Sequence, residues 1–308
     1  MTGVEGSPMG TSGDVTPTRI LVTGATGFVG RRLVPALTEA AYDVRALTRR
    51  PEAYDGPGTA VGADVHDPDT LGPALEGVDI AYYLVHSLDS PDFEAKDARA
   101  SQAFGQIAAK AGVRQIVYLG GLGAEDADLS AHLRSRREVE GLLGEAGVPV
   151  TVLRAGIIVG KGGISWELTR QLVKNLPAMV VPKWVSTRTQ PIAVDDVIRY
   201  LVGVAGREEA LGRVFEIGGP DQLTYREMMQ QASLVSRGKP TPIVTVPVLT
   251  PRLSSYWLAL VTDVDVTTGR NLIDSMGTEV LVTDHSIEEL VPGDLVTYEE
   301  AVRRALEE

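Results

Sequence analysis

Several residue types and patterns are absent, and each absence narrows what the protein can be. The sequence has no cysteine, which excludes disulfide bonds and cysteine-ligated metal sites. No apolar run approaches the roughly 18 residues of a membrane-spanning helix, so we expect no membrane span. Basic residues are the minority, 29 against 41 acidic residues. The resulting net charge of −12 argues against nucleic-acid binding through bulk charge.

Targeting and metal-binding patterns are absent as well. Residues 1–17 are rich in glycine, serine and threonine, and they lack the basic start and apolar middle of a secretion signal. We therefore expect a disordered tail over residues 1–17 and a cytoplasmic protein. No cluster of histidine, aspartate and glutamate has metal-ligand spacing, and no G-x-S-x-G segment indicates a serine hydrolase. The sequence predicts neither a metal centre nor a hydrolase.

A glycine-rich stretch from Thr23 to Gly30, T-G-A-T-G-F-V-G, is the most informative feature of the sequence. The apolar run before it predicts a short buried strand, and apolar residues at helical spacing follow it. The stretch therefore lies where a strand turns into a helix. In that position Gly24 permits a tight turn, Gly27 lets the backbone approach a pyrophosphate, and Gly30 lets helix and strand pack closely. Free N–H groups and the positive end of the helix dipole would hold the phosphates of a dinucleotide.

Strand and helix patterns alternate along the first half of the chain. Strands are predicted at 43–48, 59–62, 80–85, 115–119 and 150–154, with helices at 93–111 and 129–145. This βαβ rhythm predicts an α/β fold, a Rossmann-type doubly wound parallel sheet with helices on both faces. We expect a dinucleotide-binding core over residues 18–160 and a smaller C-terminal cap region over residues 161–308. Strands and a helix at about 189–218, beginning with a strand at 189–192, would return to the core.

The end of the second predicted strand favours one dinucleotide over another. A site that prefers NAD usually ends this strand with Asp or Glu, which binds the ribose 2′-hydroxyl. Asp43 has suitable spacing from the glycines but begins the strand, whose end reads Thr48-Arg49-Arg50. An arginine there can bind a 2′-phosphate, with Thr48 adding a hydroxyl, so the sequence favours NADP and leaves NAD as the alternative. Otherwise both arginines are solvated charges after a strand.

Further candidate contacts follow from a general rule for parallel sheets. Ligands bind at the carboxyl ends of the strands, near the point where the strand order reverses. The rule directs attention to Val85–Ser87 and Leu119–Gly123, which follow the fourth and fifth predicted strands. Asp64 follows the third, where its carboxylate would either meet the adenine amino group or serve only as a turn residue.

Six segments of the chain together carry a family signature. They read T-G-A-T-G-F-V-G, A-L-T-R-R, G-A-D-V-H-D, Y-Y-L-V-H-S, I-V-Y-L-G-G-L-G and P-I-A-V-D-D-V. On these segments the chain resembles the short-chain dehydrogenase/reductase superfamily, and the similarity extends over nearly all of residues 18–308. It is most similar to the extended and atypical NAD(P)H-binding branch, which includes the accessory NAD(P)H-binding subunit of complex I and cofactor sensors of the nitrogen-metabolite-repression type.

The resemblance implies a cofactor that lies along the carboxyl edge of the sheet. Its pyrophosphate would be lined by Gly24, Thr26, Gly27, Phe28 and Val29, with Gly30 completing the motif. Its adenosine phosphate would meet Arg49, and its adenine Asp64 and Val65. The nicotinamide ribose would pass Leu84, Val85 and His86, and the nicotinamide would be flanked by Ala155, Gly156, Ile157 and Ile158. Thr48, Arg50, Leu119 and Gly120 complete the candidate contacts from the strand ends described above.

The catalytic residues of the superfamily are missing from this chain. Active members use serine, tyrosine and lysine, and the last two lie four residues apart on one helix so that both face the cofactor. Here the serine region, Leu119–Gly123, has no hydroxyl, and His132 and Arg136 stand at the tyrosine and lysine positions. Both fall on the inward stripe of the predicted helix, together with Val139 and Leu143.

His132 and Arg136 are therefore the candidate catalytic residues. His132, with an unperturbed pKa near ~6.5, would be the general acid. Arg136 would be the anchor that holds the ribose or a phosphate, because an arginine cannot usefully lose its proton. The alternative is that both residues only bind the cofactor or cap the start of the helix.

Two classes of function remain open at this point. The first is an oxidoreductase that moves hydride between NADP(H) and a small apolar carbonyl, quinone or enone substrate. The second is a non-catalytic NAD(P)H-binding sensor or assembly protein, which the missing serine, tyrosine and lysine favour. A nucleotide-sugar epimerase is a third and weaker alternative, because it too would normally need the tyrosine. We expect a small-molecule ligand, no nucleic acid, and a monomer or homodimer.

Overall fold

The computed structural model describes residues 17–87, 90, 92–123, 129–245, 269 and 275–308. Residues 1–16 of the expected N-terminal tail lie outside the described residues. The strands are labelled β1 Arg19–Val22, β2 Asp43–Thr48, β3 Thr59–Gly62, β4 Ile80–Tyr83, β5 Gln115–Gly121, β6 Val150–Ala155, β7 Ile158–Val159, β8 Met179–Val181, β9 Arg188–Thr189, β10 Ile192–Ala193, β11 Val214–Ile217, β12 Leu223–Thr224 and β13 Ile243–Thr245. The helices are labelled α1 Gly30–Glu39, α2 Leu71–Leu75, α3 Phe93–Lys110, α4 Ala131–Gly144, α5 Ile164–Asn175, α6 Val194–Gly203, α7 Tyr225–Arg237, α8 Ser286–Leu290 and α9 Tyr298–Glu307.

Seven of these strands form one parallel sheet, in the order β11-β6-β5-β4-β1-β2-β3. The order reverses between β1 and β4, which is where doubly wound sheets bind dinucleotides. The Rossmann-type parallel fold predicted from the sequence is therefore confirmed. The second and third strands begin and end at the predicted residues, 43–48 and 59–62.

The central strands are apolar on both faces because helices cover both sides of the sheet. In β1, Ile20 and Val22 pack on one side with residues of α1 and α6, whereas Leu21 packs on the other side with residues of α2, α3 and α4. All three side chains are fully buried. The alternation follows from the two-residue repeat of a strand, and a continuous apolar run is typical of a parallel sheet covered on both faces.

The chain returns to the main sheet after the C-terminal region has begun. Strand β11 adds to the edge of the sheet beside β6, with Phe215 opposite Leu153. The single strand predicted at 189–192 is wrong, since the structure has two short strands there, β9 and β10. Pro191 separates them because it has no N–H to donate to a ladder. The two strands pair differently, β9 antiparallel with β12 and β10 parallel with β7.

A separate apolar cluster holds the C-terminal region together. It gathers side chains of α5, α7 and α9 with those of the two-stranded β8–β13 sheet. Helix α7 has well-defined ends, because Thr224 and Glu227 form a reciprocal capping box at its start and Gly238 ends it at φ 71°. Ile157, which follows β6, packs against this cluster and so links it to the main sheet.

Gly30 leaves no room for a side chain, and this generates a prediction about stability. A Cβ atom there would lie 2.2 Å from the Gly24 carbonyl oxygen and 2.8 Å from the Ala25 Cα atom. We predict that Gly30→Ala lowers the free energy of unfolding by at least about 2 kcal/mol, as measured by urea denaturation.

The matched control for this prediction is Gly141→Ala. Gly141 lies within α4, and a Cβ atom added there meets nothing within 4 Å. Alanine should therefore stabilise the protein at this position by about 0.5–1 kcal/mol, because glycine costs helix stability. If the denaturation midpoints of Gly30→Ala and Gly141→Ala shift in the same direction, the close packing at Gly30 is contradicted.

Candidate functional site

A cavity of about 560 Å³ opens at the carboxyl edge of the sheet, where the strand order reverses. The segments that follow β1, β2, β3, β4 and β6, together with the last residues of β5, all contribute to its wall. The predicted cofactor contacts that line it are Gly24, Thr26, Gly27, Phe28, Val29, Gly30, Thr48, Arg49, Arg50, Asp64, Val65, Leu84, Val85, His86, Leu119, Gly120, Arg136, Ala155, Gly156 and Ile158. The other candidate catalytic residue, His132, lines the same cavity.

Ile157 is the predicted contact that does not line the cavity. Its side chain packs against the C-terminal apolar cluster, and its carbonyl oxygen accepts the N–H of Ile192 at 2.9 Å. Successive side chains along an extended segment point to opposite sides. Gly156 and Ile158 therefore face the cavity, whereas Ile157 between them faces away. The contact of Ile157 with the nicotinamide stays a prediction.

The glycine loop has the geometry of a phosphate-binding cradle. Gly24 adopts φ 63°, and a Cβ atom there would lie 3.3 Å from the Leu84 carbonyl oxygen. Thr23 holds the loop against β4, because its Oγ1 accepts the Leu84 N–H at 2.9 Å. The backbone N–H groups of residues 28–30 donate to no acceptor among the described residues. Unused N–H groups at the start of α1, together with the positive end of its dipole, fit a pyrophosphate.

Positive side chains form a cationic rim, Arg49, Arg50 and Lys96, along another part of the cavity wall. The two arginines follow β2, their side chains are exposed, and neither makes an ion pair with another described residue. Lys96 comes from α3 and was not identified from the sequence. Asp43, whose spacing resembles that of an NAD site, lies at the opposite end of β2 and pairs with Arg19 at 2.6 Å.

Asp64 lines the cavity and also makes a local turn. Its Oδ1 accepts the backbone N–H of His66 at 3.0 Å, which is the turn role that the sequence left open. The contact with adenine stays a prediction.

His66 is a further lining residue that sequence reasoning did not assign to the site, and Ser87, in the segment to which the strand-end rule pointed, lines it too. The His66 Nε2 lies 3.3 Å from the Ser87 Oγ. Burial, and after it the charge of Lys96, lowers the pKa of His66. The sequence contained a signal that could have assigned His66 to the site, because His66 stands in the segment G-A-D-V-H-D. It contained no such signal for Lys96, because only the packing of α3 brings this residue to the cavity.

His86, His132 and Arg136 come together where β4, β5 and α4 meet the cavity, and we call them the His–Arg group. The Arg136 Nη1 lies 3.4 Å from the Tyr118 hydroxyl oxygen and 3.4 Å from the Leu119 carbonyl oxygen. Both imidazole rings are close enough to Arg136 for its charge to act on them. Helical spacing of four residues places His132 and Arg136 on the same face of α4.

Both imidazoles of the His–Arg group have strongly lowered pKa values. Burial lowers the pKa of His132 to about 3, with a further contribution from the Arg136 charge. Burial, then Arg136, then His132 lower the pKa of His86 to about 3. His86 as a whole residue is exposed and lines the cavity, although protein atoms surround its ring densely enough to lower its pKa. Both rings are neutral at neutral pH, whereas the sequence offered for His132 only the unperturbed value near ~6.5.

Buried side chains fill the space where the serine of the superfamily would stand. A Cβ atom at Gly120 would lie 2.7 Å from the Glu140 Oε1, and one at Gly121 would lie 2.8 Å from the Leu133 Cδ2. Arg154 fixes the Glu140 carboxylate through a part-buried bidentate contact, in which the Arg154 Nη2 lies 2.7 Å from the Glu140 Oε2. Helix α4 therefore packs against the end of β5 in a way that only glycine permits.

Neither a metal centre nor a membrane span is found in the described part of the chain. Its histidine, aspartate and glutamate side chains form no group of three or more that is placed to hold a metal ion. Within the same residues, no helix combines the length and the apolar character that crossing a bilayer requires.

The lowered pKa values of His86 and His132 predict a pH-dependent stability. An unfolded histidine has a pKa near ~6.5, so between that pH and about 3 the unfolded state binds more protons than the folded state. The free energy of unfolding therefore falls as the pH is lowered through this window. We predict that His132→Asn, which cannot bind this proton, makes the thermal midpoint less sensitive to pH between about 4 and 6.5.

The control for the pH prediction is Arg134→Gln, an exposed change on the same helix that removes no group titrating in this window. It should leave the slope of the midpoint against pH as in the wild type. A slope that is equal in wild type and His132→Asn would show that His132 is not held neutral by the fold.

Known proteins resemble the chain in sequence. A family model described as NAD(P)H-binding matches residues 24–180, just over half of the 308 residues. The chain is 36% identical to (4-alkanoyl-5-oxo-2,5-dihydrofuran-3-yl)methyl phosphate reductase of Streptomyces griseus subsp. griseus, over 70% of this chain and 73% of that protein. It is 29% identical to ceramide reductase of Caulobacter vibrioides, over 72% and 71%. It is 26% identical to a photosystem II assembly factor of Cyanophora paradoxa, over 74% and 72%.

Solved structures share the fold. The triphenylmethane reductase of Citrobacter sp., solved with NADP(H), gives a TM-score of 0.76 at 18% identity and covers 93% of this chain and 99% of its own. An NADPH-dependent quinone oxidoreductase of Escherichia coli, solved with NADPH, gives 0.75 at 21% identity and covers 92% and 98%. The family match and the Streptomyces relative establish the relationship more closely than these structures do. The chain belongs to the NAD(P)H-binding family, which confirms the resemblance to NAD(P)H-binding short-chain dehydrogenase/reductase proteins.

Proposed function

We propose that the protein is an NADPH-dependent reductase that adds hydride to a small carbonyl, quinone or enone substrate. The observation that carries this proposal is the meeting of the glycine loop, the cationic rim and the His–Arg group in one cavity. Relatives named as reductases support the same class of reaction. The bound dinucleotide would supply the hydride, and the protein would supply orientation and electrostatics.

The cationic rim supports NADPH over NADH. Arg49 and Arg50 follow β2, where folds of this kind recognise the 2′ position of the adenosine ribose, and Lys96 adds a third positive side chain. An arginine without an ion-pair partner can bind a phosphate through two parallel hydrogen bonds. The 2′-hydroxyl of NADH is uncharged and cannot neutralise the positive charges of the rim.

His86 and His132 would act as neutral hydrogen-bond donors. A ring with a pKa of about 3 carries no imidazolium proton to deliver at neutral pH. Its remaining N–H can still polarise a substrate oxygen and stabilise the negative charge that develops there. Water in the open cavity would then provide the proton that completes the reduction. Arg136, which stays charged, would anchor the substrate beside the two rings.

Turnover is the first test of this proposal. Purified protein with NADPH is offered a panel of quinones, enones and aldehydes, and oxidation of the nicotinamide is followed by absorbance. We predict that at least one panel member is reduced, and that His132→Ala lowers its kcat by about 100-fold, because one preorganised hydrogen-bond donor is lost. His285→Ala, a change at an exposed histidine that pairs with Glu288 and does not line the cavity, is the control. An unchanged kcat in His132→Ala would contradict the proposed role.

Cofactor choice is tested separately by binding. We predict that Arg49→Glu weakens NADPH binding by about 10- to 100-fold, because a charge-assisted contact to the 2′-phosphate is replaced by repulsion. NADH binding should change little in the same variant. Arg207→Glu makes the same charge change on the surface outside the cavity and should affect neither cofactor. Equal losses for NADPH and NADH would contradict a 2′-phosphate contact at Arg49.

A non-catalytic NAD(P)H sensor or assembly protein is the second candidate. It is favoured by the wall at Gly120 and Gly121, where Glu140 and Leu133 fill the place of a catalytic serine. One of the relatives is itself named as an assembly factor. Tight NADPH binding without oxidation by any panel member would favour this candidate over the reductase.

A further inference from the structure

Arg136 is a half-buried cation in the cavity wall that no acid neutralises among the described residues. Among the residues that the structure describes, its Nη1 contacts two neutral dipoles, the Tyr118 hydroxyl and the Leu119 carbonyl, each at 3.4 Å. No described carboxylate oxygen lies within 4.0 Å of its guanidinium group, the distance that defines an ion pair. A charge in this position is costly until an anion compensates it.

The other arginines near it are paired with acids. On the same helix, Arg134 pairs with Glu94 at 3.7 Å, and Arg137 lies 4.0 Å from Glu140. Arg154 of β6 forms an ion pair with the same carboxylate, with its Nη2 2.7 Å from the Glu140 Oε2. Glu140, one turn after Arg136, therefore directs its charge to other arginines. The positive charge of Arg136 is therefore available to a ligand in the cavity.

The phosphates of a dinucleotide would not reach Arg136. The glycine loop, which would hold the pyrophosphate, follows β1. The arginines of the cationic rim, which would hold the 2′-phosphate, follow β2. Neighbouring strands lie about 4.8 Å apart, so β5, two strands from β1 and three from β2, ends roughly 10 Å and 15 Å from these positions. The anion that neutralises Arg136 must therefore come from the other ligand of the cavity.

Two imidazoles border the same space. His86 and His132 line the cavity with Arg136, and both are neutral at neutral pH because of burial and the uncompensated Arg136 charge. They add N–H donors without adding negative charge. Resting on the reductase function proposed above, we propose that the His–Arg group binds an oxyanion of the substrate, a carboxylate or a phosphate, beside the carbonyl or enone that is reduced.

The test compares substrates that differ only in this charge. The pairs are 4-formylbenzoate with its methyl ester and 4-oxopent-2-enoate with its methyl ester, each reduced with NADPH. We expect kcat/KM for the acids to exceed that for the esters by about 10- to 100-fold, the range of a charge-assisted hydrogen bond. A benzaldehyde carrying a phosphate monoester, compared with its neutral phosphate triester, tells whether phosphate is accepted in place of carboxylate.

Variants of Arg136 connect the preference to this side chain. Arg136→Met should reduce the acid preference to within about twofold, whereas Arg136→Lys, which keeps the charge, should retain part of it. Arg134→Met, the exposed neighbour on the same helix, should keep all of it. The acid preference should fall in Arg136→Met whether or not the dissociation constant of NADPH changes. No preference in the wild type, or a preference that survives in Arg136→Met, would overturn the proposal.

A second readout separates this proposal from the reductase function. Calorimetric titration of the protein saturated with NADP⁺ measures binding of each acid and ester without turnover. If no carbonyl is reduced but the acids bind selectively and Arg136→Met abolishes the selectivity, the reductase function fails and the oxyanion site stands. If acids and esters bind alike, or if Arg136→Met weakens only NADPH binding, the oxyanion site is disproved.

Discussion

The close approach of Gly30 to the Gly24 carbonyl is the contact on which the site depends. A Cβ atom at Gly30 would lie 2.2 Å from that oxygen, so α1 can begin directly above the end of β1 only because the side chain is missing. This contact directs the start of α1, with the unused N–H groups of residues 28–30, into the cavity. Thr23 fixes the same loop to β4 through the Leu84 N–H. The phosphate cradle thus follows from one steric condition.

Charge in the cavity has the opposite sign to the charge of the whole protein. The chain carries a net charge of −12, yet the cavity wall contains the cationic rim and Arg136. Clefts lined by one sign of charge concentrate ligands of the other sign. The distribution is therefore suited to a dinucleotide phosphate at one end. At the other end it leaves one positive charge beside two neutral imidazoles, which sets the chemistry available to a substrate.

The departure from the catalytic pattern of the superfamily extends into the packing. Glu140 and Leu133 fill the space beside Gly120 and Gly121, and Arg154 forms an ion pair with Glu140. His132 occupies the tyrosine position but is held neutral, because it is buried beside a permanent charge. In the reductase proposed above, hydrogen bonding and fixed charge would take the place of an ionisable acid.

The sequence by itself determined the parallel sheet and most of the residues that line the cavity, because both depend on local patterns. Apolar runs, the spacing of Gly24 and Gly30, and the rule for strand ends are all read within a few residues. Only the tertiary structure decided features that arise between distant segments. Lys96 reaches the cavity through the packing of α3, Ile157 turns away because the C-terminal cluster receives it, and His132 is neutral because burial and the Arg136 charge disfavour its protonated form. Burial and charge are sums over neighbours that the order of residues does not specify.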